Sequence, residues 1–115
     1  MNILMHTLTL NVGENVKNGK SNPRIWIELA KEKMQALGIR KGDQYNRLIT
    51  SGVVTVSFNA KGKYKVAGTD TRAIFDMLGK FLTKNGFKKG DKVSIQFYRS
   101  YDSNSIDHFT ISKVA

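Results

Sequence analysis

The sequence predicts an α+β domain: two tandem β-α-β-β units forming one pseudo-two-fold barrel or sheet with two helices. Three observations lead there. Several stretches alternate apolar and polar residues with period two, the mark of half-buried strands. Two stretches space apolar residues three and four apart, as one helix face does. The chain also matches itself when Arg24 is laid on Arg72, a shift of 48 residues.

At the N-terminus Leu4, His6, Leu8, Leu10 and Val12 alternate with Met5, Thr7, Thr9 and Asn11, which reads as a strand. Gly13 to Asn22 is polar and rich in Gly and Asn, and reads as a loop. Pro23 stands where a first helical residue would, with Asn22 as N-cap. Ile27, Ala30, Met34 and Leu37 would line that helix, and Gly38 would end it. A rival reading makes Arg24-Ile25-Trp26-Ile27 a short strand and starts the helix at Glu28; the local pattern leaves both open.

Tyr45 to Thr50, Val53 to Phe58 and Lys63 to Val66 read as three strands, turned by Ser51-Gly52 and by Asn59-Ala60-Lys61-Gly62. A second helix is expected after Thr69-Asp70-Thr71, with Asp70 as N-cap. Ile74, Met77, Leu78, Phe81 and Leu82 would form its apolar face, with Gly86 as its stop. Val93, Ile95 and Phe97 mark another strand, Tyr101 to Ser105 a turn, and Ile106 to Val114 the last strand. Trp26, Phe58, Phe75, Phe81 and Phe97 are expected in the core.

The repeat runs without a gap from Arg24 to Asp43. It puts Glu28 on Asp76, Met34 on Leu82, and Gly38-Ile39-Arg40-Lys41-Gly42-Asp43 on Gly86-Phe87-Lys88-Lys89-Gly90-Asp91. The repeated phrase has a mechanical reading. Gly38 and Gly86 end a helix at positive φ, and Ile39 and Phe87 turn back into the core. Gly42 and Gly90 permit a tight turn, and Asp43 and Asp91 accept backbone N–H groups. The chain is thus one domain, 1–115, with repeat units at about 3–59 and about 62–115.

The two phrases resemble the GD box of the cradle-loop barrels, a group that includes the AbrB/SpoVT-type DNA-binding domains and the double-psi barrels. Arg24 to Tyr45 follows the AbrB-like order of short strand, helix, Gly-hydrophobic-x-x-Gly-Asp and hairpin; Arg72 to Val93 follows it less cleanly. The similarity covers about two-thirds of the chain. It departs from AbrB-like domains in holding both halves in one chain, in its expected longer helices and in its N-terminal strand. The resemblance implies double-stranded DNA as partner and transcriptional regulation as role.

Composition narrows the function classes. With 115 residues, 40% hydrophobic and 24% charged, the chain can bury a core without a staple, which excludes a disordered or low-complexity segment. The absence of Cys excludes disulfides, thiolate catalysis and Cys-based metal sites, and suits a reducing, cytoplasmic setting. No apolar run reaches the roughly 18 residues of a membrane span. The start lacks the pattern of a signal peptide. No membrane partner, cofactor or metal is expected.

An enzyme is not expected either. The two histidines, His6 and His108, show no metal-ligand spacing, and in a regular strand Asp107 and His108 would point to opposite faces. Ala60-Lys61-Gly62-Lys63 lacks the strand-then-helix context of a phosphate loop and reads as a basic hairpin turn.

The charge is the strongest signal. Nineteen Lys and Arg against nine Asp and Glu leave +10, an excess that attracts polyanions. Candidate nucleic-acid contacts fall in three sets: Lys17, Lys20 and Arg24 around the first loop; Arg47, Lys61, Lys63 and Lys65 in a stretch without an acid; and Tyr98, Arg99 and Tyr101 at the last hairpin. Lys80, Lys84, Lys88 and Lys89 complement the dipole of the second helix, and Lys80 follows Asp76 by one helical turn. The expected function is a small, non-enzymatic nucleic-acid-binding protein, with DNA ahead of RNA, acting as monomer or homodimer. The alternative is a protein-binding module or inhibitor, of the kind phages and mobile elements encode, that sets its basic face against an acidic partner.

Overall fold

The computed structural model describes residues 2–114. The fold is α+β and mostly β, with two helices and two antiparallel sheets. The strands are β1 (Asn2–Asn11), β2 (Gly13–Lys17), β3 (Lys20–Ala30), β4 (Gln44–Thr50), β5 (Val53–Phe58), β6 (Tyr64–Lys65), β7 (Ala67–Thr69), β8 (Arg72–Leu78), β9 (Lys92–Ser100) and β10 (Ile106–Lys113). Helix α1 (Lys31–Leu37) follows β3, and helix α2 (Lys80–Thr83) follows β8. One sheet has the order β1-β9-β10-β5-β4-β6; the other has the order β2-β3-β8-β7.

The regions expected as helices behave differently. Residues 20–30 are a strand, and α1 starts only at Lys31, which overturns the helix from Pro23 and its Asn22 cap. The rival reading has the strand right but starts the helix three residues early. In the second half, 72–78 is also a strand, α2 has four residues, and Asp70 lies in the β7–β8 turn instead of capping a helix.

The cause is a pattern that satisfies both periods. Ile25, Ile27 and Leu29 alternate inward in β3, and Ala73, Phe75 and Met77 alternate inward in β8, all essentially buried. The two strands pair with each other, Arg24 opposite Leu78, Ile27 opposite Phe75 and Ala30 opposite Arg72. As a strand each segment gains a ladder and a buried face, whereas a single isolated helix of this length would be marginal. Each half is therefore richer in strand than β-α-β-β. The expected loop at Gly13–Asn22 contributes too: β2 and β3 form a hairpin whose turn, Asn18-Gly19, has φ of 53° and 73°. Asn-Gly fits because a two-residue hairpin turn of this hand needs positive φ at both positions.

The core lies between the sheets. Phe109 meets Phe75 edge-on with ring centroids 5.0 Å apart and packs tilted against Phe97 at 5.0 Å, with Ile95, Val54, Val56 and Ile111 fully buried beside them. Each such side chain contributes roughly 1.5–3 kcal/mol by leaving water. Phe75 and Phe97 are core residues as expected, while Phe58 and Phe81 are only half-buried. Trp26 is a correction: it points outward from β3 and is 41% exposed.

Single residues link the sheets. β1 passes through Val12 into β2, and β6 passes through Val66 into β7. The Val12 N–H donates to the Asp91 carbonyl (2.8 Å) and its carbonyl accepts from Gly90 N–H (2.8 Å). The Val66 N–H donates to the Asp43 carbonyl (2.8 Å) and its carbonyl accepts from Gly42 N–H (2.9 Å). Each Asp also folds its own turn, the Asp43 carboxylate accepting from Arg40 N–H and the Asp91 carboxylate from Lys88 N–H, both at 2.8 Å.

Candidate nucleic-acid interface

Helix α1 buries Met34 and Leu37 and leaves Lys31 and Gln35 exposed. It ends at Gly38, whose φ of 72° lets Ile39 N–H return to the Met34 carbonyl at 2.9 Å. Arg40 and Lys41 follow, both exposed. The loop between β9 and β10 forms the facing wall. It comes so close that a Cβ placed on Gly38 would lie 2.6 Å from Ser105 Oγ, so only glycine fits there.

Between these walls runs a groove of about 760 Å³, lined among others by Lys31, Met34, Ile39, Arg40, Lys41 and Asp70. A second cavity of about 340 Å³ shares Gly38, Ile39, Arg40 and Ser105 with it and extends to Phe58, Asn59 and Ala60. Three cations thus face one acid, Asp70, in the larger cavity. In the smaller one Asp43 is already engaged with Arg40, by its bond to the backbone N–H and by a 4.0 Å approach to Nε.

The smaller cavity leads to the β5–β6 turn. There Asn59 Oδ1 accepts from Lys61 N–H (2.8 Å), Asn46 Oδ1 accepts from Lys63 N–H (2.9 Å), and Gln44 Nε2 donates to the Gly62 carbonyl (3.0 Å). A Cβ on Gly62 would fall 2.5 Å from the Tyr45 backbone nitrogen, so the turn requires glycine. The backbone is fixed while Lys61, Lys63 and Lys65 stay exposed and Tyr64 and Val66 turn inward, the alternation expected of this segment.

The other sequence-derived candidates are placed apart from this groove or already engaged. Lys17 and Lys20 face each other across the β2–β3 turn, exposed. Arg24 donates to both Asp76 oxygens at 2.9 Å and lies 4.5 Å over the Trp26 ring; the hydrogen bond to Asp76 raises its pKa. Asp76 therefore serves Arg24 across the sheet, not Lys80 along a helix. Arg47 is held between the rings of Tyr64 (4.3 Å) and Phe81 (4.5 Å), with its Nε buried and without a hydrogen-bond partner. Arg99 Nη1 donates to the carbonyls of Ser100, Tyr101 and Ser103 and ties down the β9–β10 loop. Tyr98 stacks on His108 at 5.0 Å and donates to Gln96 Oε1. Tyr101, at the tip of the loop that carries Ser105, is 74% exposed.

The groove adds Lys31, Arg40 and Lys41, which the sequence reading did not single out. Arg40 and Lys41 sit inside the repeated turn phrase, whose structural reading absorbed them. Lys31 is an exposed helix position, where a Lys carries no signal of its own.

The histidines also differ from expectation in one respect. A bulge between Ile106 and His108 breaks the strand alternation and brings Asp107 Oδ2 to 3.1 Å from His108 Nδ1, so the two do not point apart. His6 Nε2 is shielded and unpaired beside Phe97; burial first, and Lys33 second, lower its pKa. Among the described residues no group of three or more His, Cys, Asp or Glu could hold a metal ion, and no helix is long and apolar enough to cross a membrane. No family model, curated protein or solved structure matches the chain.

Proposed function

We propose that this chain is a small, non-enzymatic nucleic-acid-binding protein that holds its polymer chiefly by the phosphates. The observation that carries this reading is the run of exposed cations Lys31, Arg40, Lys41, Lys61, Lys63 and Lys65 along one groove and its adjoining turn, within a chain of net charge +10. Cations on a fixed backbone neutralise phosphates and release condensed counterions, so each contact adds both affinity and salt dependence. The resemblance to AbrB-like domains adds DNA as the polymer and transcriptional regulation as the role, and the lack of Cys adds a reducing, cytoplasmic setting.

The internal repeat frames the architecture as two units forming one pseudo-two-fold barrel or sheet. Its support is the register. Ile27 opposite Phe75 and Thr55 opposite Thr110 would lie on the two-fold, and the Val12 and Val66 junctions bond to equivalent turns.

Fluorescence anisotropy with labelled nucleic acid at low and near-physiological salt tests the function. The expected result is micromolar or tighter binding that survives the higher salt and is weakened at least about tenfold by Lys61→Glu with Lys63→Glu, without loss of folding. Unchanged affinity in that double variant removes the turn from the site.

A second reading, a protein-binding module, rests on a different face. Trp26 and Leu78, 41% and 40% exposed, stand on the outer side of the four-stranded sheet beside Arg24, which lies over the Trp26 ring. An exposed Trp flanked by Arg is the composition of an interface anchor. Pull-down of a partner that Trp26→Ala abolishes, with no nucleic-acid binding, would favour this reading.

A further inference from the structure

We infer that the groove takes a single strand of nucleic acid, with a base seated on its apolar floor, in preference to a duplex. This rests on the nucleic-acid reading above and departs from the double-stranded DNA that the AbrB-like resemblance implies.

Shape is the first argument. The two neighbouring cavities, about 760 and 340 Å³, have the size of ligand pockets, which run roughly 300–1,000 Å³. A duplex is a convex rod, read by an element that projects into its grooves. Here the cations surround a depression, and α1 and the β9–β10 loop are its walls. A duplex laid across the rim would leave the depression unfilled.

The floor is the second argument. The half-buried Phe58 lines the smaller cavity beside the buried Ile39, an apolar surface that phosphates do not use. An unstacked base does, because its face can stack on an aromatic ring such as that of Phe58. Duplex bases are already stacked on each other, so only an unpaired strand can fill this floor. Gln35, Asn59 and Ser105 supply donors and acceptors around it, the groups that recognise exposed base edges. Tyr101, on the loop that carries Ser105, offers a second ring near the rim. The phosphates would run from Lys31 past Arg40 and Lys41 to Lys61.

Four labelled probes decide the matter by anisotropy at near-physiological salt: single-stranded DNA, single-stranded RNA of the same sequence, the DNA duplex, and an abasic DNA strand of equal charge. The inference expects a base-bearing single strand to bind at least about tenfold tighter than both the duplex and the abasic strand, close to one stacked base at about 1.4 kcal/mol per factor of ten. The two single-stranded arms identify the sugar. Tyr101→Ala, which removes an exposed ring at the rim, should reduce the preference for the base-bearing strand over the abasic strand while far-ultraviolet circular dichroism stays unchanged. Equal or tighter binding of the duplex or the abasic strand overturns the inference and leaves the nucleic-acid reading standing. Failure of all four probes overturns both.

Discussion

The turn at Gly38–Asp43 and the turn at Gly86–Asp91 form the same bonds in different company. In both, the residue after the glycine returns its N–H to a helix carbonyl, Ile39 to Met34 at 2.9 Å and Phe87 to Leu82 at 3.1 Å. In both, the Asp carboxylate accepts from a backbone N–H three residues earlier at 2.8 Å. Yet the first borders a groove and the second does not line either cavity. The difference lies in what stands opposite. Gly38 abuts Ser105 of the loop between β9 and β10, and α1 has seven residues. Gly86 meets only the flexible end of Lys113, and α2 has four residues. The equivalent β4–β5 connection is just Ser51-Gly52, too short to build a facing wall. Equal turns thus give a site only where the rest of the chain supplies a second wall.

The sharpest way to break this comparison is to substitute the first glycine of each turn, Gly38, which caps α1, and Gly86, which follows the Lys84 cap of α2. Gly38→Ala should cost about 2–5 kcal/mol, because a left-handed residue costs roughly 1–2 kcal/mol and crowding against Ser105 adds roughly 1–3 kcal/mol. Gly86→Ala should cost only about 1–2 kcal/mol, since Lys113 can move aside. Urea denaturation of both variants measures the difference, and equal losses would mean that the Ser105 wall yields.

A smaller effect is expected from reversing the charges that follow those glycines. Arg40→Glu with Lys41→Glu should weaken nucleic-acid binding at least about tenfold, or about 1.4 kcal/mol. Lys88→Glu with Lys89→Glu should change it about threefold at most, through the general field alone. Titrations at one salt concentration compare the pairs, and equal losses would show that net charge, not the groove, governs binding.

The smallest effect concerns the edges of the six-stranded sheet, where ten-residue β1 and two-residue β6 occupy opposite ends. On β1, His6 has a pKa held below its usual value by burial first and by Lys33 second. The unfolded chain then binds more protons than the fold once pH drops below about 6.5, so stability falls with acid there and is fully present above it. His6→Leu should flatten the Tm profile between pH 7 and 5 by removing that term, whereas an unchanged slope would assign the acid sensitivity to other groups.

Much of the local structure was legible in the residues. The strands at 44–50, 53–58 and 92–100, the glycine stop at Gly38 and the Asp-folded turns follow from alternation, positive φ and short side-chain reach, all of which act within a few residues. The segments 24–30 and 72–78 were not decided that way. Ile25, Ile27 and Leu29 spell a strand, while Ile27, Ala30 and Met34 spell a helix face, and only the ladder between β3 and β8 selects the strand. Asn18-Gly19 carried a hairpin signal, but its partners emerge only once β3 is a strand.

The same division holds for the site. Sequence alone determined that the chain is basic, free of Cys, and equipped with two matching turns. Which cations are occupied was decided by tertiary contacts: Asp76 reaches Arg24 from 52 residues away, and Tyr64 and Phe81 close on Arg47 from two other elements. The groove is likewise assembled from α1, the turn after it, the β5–β6 turn, Asp70 and Ser105. Local bonding rules fix each turn, whereas a cavity is a relation between distant segments, set by how their buried faces pack.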